Sequence, residues 1–247
     1  MNFRNIPPVV KNLLIINGLF YLATILLKGQ GLDLTELLGL HYFQSDGFKP
    51  HQLVTYMFMH SSVDFTHILF NMFAVWMFGR VLEGVWGSKR FLIFYMVTGV
   101  GAGLIQLLVA YIRLIPIYNA LSPEEINFVL TQGYDLAQNG GSSIFLNNPI
   151  VHDAIWLINT TTVGASGAVF GILLAFGMLF PNTELMLLFP PIPIKAKWFV
   201  LGYGALELYS GFANNPNDNV AHFAHLGGML FGFILIKMWQ KDRGRFY

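Results

Sequence analysis

Two side chains define the chemistry open to this sequence. Ser166 lies in Gly164-Ala165-Ser166-Gly167, and His225 lies in Ala221-His222-Phe223-Ala224-His225-Leu226-Gly227-Gly228, each near the leading edge of an apolar segment. Polar groups inside a bilayer are costly, and their default reading is a functional site. A hydroxyl beside an imidazole is the pair that makes a serine nucleophilic, so the two together point to hydrolysis of a peptide bond at the membrane. His67 and Asn71 are spaced i, i+4 and share a helix face, from which both can donate hydrogen bonds toward a common point. With the backbone N–H of Ser166, they are candidates for stabilising a tetrahedral oxyanion. No acid on the segments that carry these residues stands at a matching position, so the expectation is a Ser166–His225 dyad. His225 takes the hydroxyl proton during attack and returns it to the leaving amine.

Taken singly, each signal has a plainer reading. A serine in a membrane helix is commonly packing glue, and it is the pairing with His225 at the same depth that favours chemistry. His222 and His225, at i, i+3, suggest a metal, but no Cys and no Glu completes a site there, and no His-Glu-x-x-His occurs. No metal and no other cofactor is therefore expected.

The elements that must position these residues follow from composition. Of 247 residues, 55% are hydrophobic and only 11% charged, against about 25% charged in a soluble domain; most of the surface must face lipid. The net charge of +1 and the lack of cysteine exclude a field that would attract nucleic acid, disulfides, thiolate metal sites and a cysteine nucleophile. Apolar runs long enough to cross a bilayer fall at about 13–27, 65–86, 91–111, 162–180, 198–212 and 220–239. Between the first two lies an interfacial stretch, and between the third and fourth a long loop insert at about 112–159. The expected architecture is all-α: one membrane-embedded domain, 1–247, built as a six-helix bundle. Arg4, Lys11, Arg80, Lys89, Arg90, Lys195, Lys197 and the basic tail lie on one side, which puts both termini in the cytoplasm. Spans two, four and six then enter from the opposite side, and His67, Asn71, Ser166 and His225 each lie roughly 5–10 Å below entry. Gly164, Gly167 and Gly171 on span four and Gly228 and Gly232 on span six are small residues that let helix backbones approach in lipid.

These residues resemble the rhomboid family of intramembrane serine proteases. Gly164-Ala165-Ser166-Gly167 looks like its Gly-x-Ser-Gly nucleophile motif. Ala224-His225 with Gly228 and Gly232 looks like its catalytic-histidine helix, His67-Ile68-Leu69-Phe70-Asn71 like its His-x-x-x-Asn motif, and Glu83 to Gly87 like the Glu-x-x-x-Gly that follows. The resemblance implies Ser166 as nucleophile, His225 as base, and His67 with Asn71 as oxyanion partners. It also implies a membrane-lying first loop at 29–62, span five as a movable lateral gate and 212–219 as a capping loop. Three departures stand out: His51-Gln52 where the family often has Trp-Arg, Phe170 where a tyrosine frequently stacks on the histidine, and the long insert. The expected substrates are single-span transmembrane proteins in the lipid bilayer, cut near their non-cytoplasmic end, and the expected setting is a bacterial inner membrane. A client-binding relative without activity would lack the serine or histidine, and a transporter would show internal symmetry and intramembrane charges; neither pattern is present.

Overall fold

The computed structural model describes residues 6–186, 191–213 and 220–243. Arg4, Arg245 and the 214–219 part of the expected capping loop lie outside them. Helix α1 (Pro8–Lys28) starts on a proline, whose missing N–H and fixed φ suit a first turn. Its next donors, the N–H groups of Val9 and Val10, go to the Glu83 carboxylate at 3.0 and 2.8 Å, and Ser88 Oγ donates to the same group at 2.7 Å. Glu83 is therefore a buried anchor joining the start of α1 to the turn at Gly87, where φ is +76°.

The first loop holds two short helices, α2 (Leu34–Leu38) and α3 (Gln52–Thr55). Gln52 is fully buried and ties the loop together. Its Oε1 accepts from the N–H groups of His41 and Lys49, and its Nε2 donates to the carbonyls of Gly47 and Leu37. The departure at His51-Gln52 thus keeps a full hydrogen-bonding role for the loop. Helices α4 (Phe65–Ala74) and α5 (Arg80–Trp86) are one span, joined by a π-helical turn at Val75–Gly79.

Helix α6 (Ser88–Ala120) runs well past the expected end at residue 111. The insert is not a loop. It folds as α7 (Pro123–Asn139) and α8 (Pro149–Asn159), a helical pair. Ser122 and Glu125 form a reciprocal capping box with Pro123 at the first position, a strong local start signal. Phe128, Val129, Val151, Ile155 and Ile158 then bury against Ala110 and Leu114 of α6 and Tyr42 of the first loop. Polar ties continue the brace: Ser45 Oγ donates to Asn159 Oδ1 at 2.8 Å, and Tyr134 OH to Glu36 Oε2 at 3.2 Å.

Helix α9 (Ser166–Leu179) begins four residues later than expected, because Thr162 is held in an antiparallel bridge with Leu40. A small hairpin follows, β1 (Glu184–Met186) with β2 (Pro193–Lys195), leading into α10 (Ala196–Ala213) and then α11 (His222–Arg243). The Gly faces meet as anticipated. A Cβ on Gly228 would overlap the backbone of Gly167, and one on Gly232 would lie 3.4 Å from Gly171 Cα. Phe91, Phe94, Tyr95, Ile172 and Phe176 fill the centre, while Leu26, Leu201, Leu206 and Phe212 are exposed, an apolar exterior suited to lipid. Pro8–Lys28, Phe65–Trp86, Ser88–Ala120 and His222–Lys241 are each long and apolar enough to cross a membrane.

Candidate active site

Ser166 is the first residue of α9, and the segment before it is clamped. The Gly164 N–H donates to the Tyr56 carbonyl at 3.0 Å, and the Tyr56 hydroxyl donates to the Gly99 carbonyl at 2.7 Å. Gly164 has φ +128°, and a Cβ there would sit 2.8 Å from His67 Nε2. Both the backbone conformation and the space demand glycine. The sharp turn presents the Ser166 side chain at a helix N-terminus, where backbone N–H groups have no partner within the helix.

His225 lies in the first turn of α11, and its Nε2 is 2.8 Å from Ser166 Oγ. The close crossing of α9 and α11 brings the two groups together. Phe170, one turn beyond the serine, lies flat on the imidazole with centroids 4.2 Å apart and planes 7° apart. The phenyl ring therefore fixes the ring plane without a hydroxyl.

The other ring nitrogen of His225 meets a residue that sequence reasoning missed. Nδ1 lies 2.8 Å from Glu207 Oε2, and His222 Nδ1 lies 2.7 Å from the same oxygen. Glu207 is buried on α10. A carboxylate only accepts, so Nδ1 of His225 carries a proton, and in the neutral ring Nε2 then turns its lone pair toward the serine. Spans two, four and six offer no acid at a matching depth, and Glu207 comes from span five. The signal was there: α10 and α11 run antiparallel, and Glu207 and His225 stand equally far from Pro216 in the loop between them. Glu207, His222 and His225 also each offer one ligand atom within 4.8 Å of the others, the spacing of a metal-binding group. The expectation of no metal rested on there being no Glu beside the two histidines, and Glu207 removes that ground.

His67 projects from the first turn of α4 to the Gly164 turn. The Ser61 N–H lies 3.4 Å from its Nδ1; Nδ1 accepts, so Nε2 carries the proton and faces the serine side. The His60 ring packs edge-on at 5.1 Å, and burial pushes the pKa of His60 down to about 3, which keeps it neutral beside His67. Asn71 Nδ2 donates to the His67 carbonyl at 2.8 Å, one turn back on its own helix. An i−4 carbonyl is the nearest strong acceptor for a short amide in a helix.

Comparison with known proteins bears on the fold that carries these residues. A profile of the Rhomboid domain matches residues 48–114 and 128–241. The RHOMBOID-like protein 12, mitochondrial, of Arabidopsis thaliana is 29% identical over 207 residues, covering 81% of this chain and 51% of that protein. The Rhomboid-like protein 11, chloroplastic, of the same plant is 25% identical over 261 residues, covering 91% and 66%. Rhomboid protein 1, mitochondrial, of Saccharomyces cerevisiae is 28% identical over 189 residues, covering 75% and 42%. The chain thus spans about half the length of the curated relatives it matches. The helical architecture and these relatives make it an integral, polytopic membrane protein. The relatives' names place them in mitochondria and chloroplasts, so they lend no support to a bacterial inner membrane.

Proposed function

This chain belongs to the rhomboid family, and from that premise we propose that it is an intramembrane serine endopeptidase. Its substrates are single-span transmembrane proteins, cut near the end that lies opposite the basic loops. The observation that carries the reading is the 2.8 Å contact from Ser166 Oγ to Nε2 of His225, whose other ring nitrogen bonds the Glu207 carboxylate.

In the mechanism, His225 Nε2 takes the Oγ proton as Oγ attacks the scissile carbonyl carbon. The oxyanion forms beside the Ser166 N–H and the protonated Nε2 of His67, and Asn71 holds the His67 turn. Collapse breaks the C–N bond, and the imidazolium gives its proton to the leaving amine. Water, deprotonated by the same nitrogen, then hydrolyses the acyl ester and restores the serine. An intact substrate helix hides its carbonyls in i to i−4 bonds, so substrates with small or helix-breaking residues near the cut are preferred. Residues 1–247 act as a single membrane-embedded unit, with both termini on the side of the basic residues, the cytoplasmic side.

The test uses the purified chain in proteoliposomes with a single-span reporter carrying Gly-Ala near one helix end. Wild type releases a fragment cut within the membrane region. Ser166→Ala releases none, and His225→Ala very little. Equal release by Ser166→Ala removes this serine from the reaction.

A further inference from the structure

We infer that Glu207 is the positioning residue of this site, so that the working unit is Glu207–His225–Ser166 and not a dyad. The inference rests on the peptidase reading above. Three observations carry it. Glu207 and His225 are both buried, 6% and 8% exposed, so their 2.8 Å contact is shielded from water. His222 donates to the same Oε2 at 2.7 Å, which fixes the carboxylate as well as the ring. Phe170 holds the ring plane, leaving the Nδ1 bond to set the direction of Nε2.

The chemistry follows from these contacts. When Nε2 takes the serine proton the ring becomes a cation, and the carboxylate on the far nitrogen balances that charge in a medium of low dielectric. No proton passes to Glu207. Among the described residues, the polar and charged groups around the pair include Tyr203, one turn before Glu207 on α10 and packed on Phe170; Arg113 of α6, which donates to the Gly211 carbonyl one turn after it; and His67 of α4, close enough to His225 for their charges to interact. None of these offers a second carboxylate to His225. Because the acid rides on α10 while the base rides on α11, the state of the base depends on where α10 sits.

A purely structural role would also place Glu207 here, as a tether between the two helices, and the experiment separates the two. The full-length protein in detergent is labelled with a fluorophosphonate, and the rate of serine modification is resolved into its limiting rate (kinact) and its binding constant (KI). Glu207→Gln keeps size and an acceptor oxygen, so it preserves a tether but carries no charge. Its limiting rate is expected to fall about tenfold or more, with KI within about twofold of wild type, as for loss of an orienting acid. Glu207→Asp restores the charge and recovers most of the rate, while its thermal midpoint matches that of Glu207→Gln. Wild-type labelling by Glu207→Gln overturns the inference, as does equal loss in the Gln and Asp variants. So does loss of wild-type labelling on chelation that zinc restores, because Glu207 is then a metal ligand. Labelling that persists in Ser166→Ala defeats the underlying peptidase reading instead.

Discussion

Replacing Gly228 by alanine tests whether the approach of two helix backbones sets the reactive distance. The added Cβ would overlap the carbonyl oxygen of Gly167, a backbone atom that no rotamer change can move, where ordinary contact begins near 3.4 Å. Relief requires α9 and α11 to separate by on the order of 1.5 Å, since close-packed interiors transmit such strain and do not absorb it. Gly167 follows Ser166 directly, and His225 lies one turn before Gly228, so the separation falls on the 2.8 Å Oγ–Nε2 contact. Opened to about 4 Å, that contact no longer transfers a proton, and a misplacement of about 1 Å costs roughly 10²-fold in rate. Overpacking adds a stability loss of about 1–3 kcal/mol. The assay pairs the rate of fluorophosphonate labelling with the thermal midpoint in detergent. Gly84→Ala is the control. It lies in α5 with nothing within 4 Å of its added Cβ, and it is expected to keep the rate and gain about 0.5–1 kcal/mol from its helical position. A Gly228→Ala protein with wild-type rate and midpoint would show that the reactive distance does not depend on this crossing.

Other predictions follow from the same geometry. His67→Ala removes an oxyanion donor and should lower the cleavage rate of a single-span reporter by about 10²–10³-fold; Asn71→Ala, whose amide bonds the His67 carbonyl, should cost less, and a reversed order would show that Asn71 is the direct donor. Glu83→Ala strands the Val9 and Val10 N–H groups and should destabilise the fold by about 1–3 kcal/mol, read as a lower thermal midpoint with the labelling rate per folded molecule unchanged. In the first loop, hydrogen bonding from His41 comes first among the effects that hold the Glu36 carboxyl below its ordinary 4.5. A depressed folded value stabilises the protein above about pH 4.5 and loses that contribution as pH falls through the folded value, so thermal midpoints should drop below pH 4.5, and Glu36→Gln should flatten that drop.

How legible this molecule is in its sequence depends on how local each signal is. Ser166, His225 and the glycines that bring them together sit in short motifs whose spacing reports a helix face, and the structure joins them. His67 was legible for the same reason. Phe170 was reached through the family resemblance, and its ring lies where that resemblance implies. Glu207 is not legible in this way, because its partner is 18 residues away across a loop and only the antiparallel pairing of α10 with α11 brings the two together. The polar content of the insert masks an amphipathic face and reads as a loop, although the Ser122 to Glu125 capping box marks a helix start. Asn71 shares a face with His67 as read, but face-sharing does not say which acceptor an amide selects, and the nearest carbonyl prevails. Hydropathy starts α9 too early because it cannot see the Leu40–Thr162 bridge that holds the chain extended ahead of the serine.

Activation of one hydroxyl by His225 is read out by mapping where a fluorophosphonate attaches. Membranes containing the full-length protein are labelled, digested and analysed by mass spectrometry. A single phosphonylated residue is expected, Ser166, whose modification disappears in His225→Ala while the protein keeps its thermal midpoint. Modification at a different serine, or undiminished modification of Ser166 without His225, would rule out activation of Ser166 by His225.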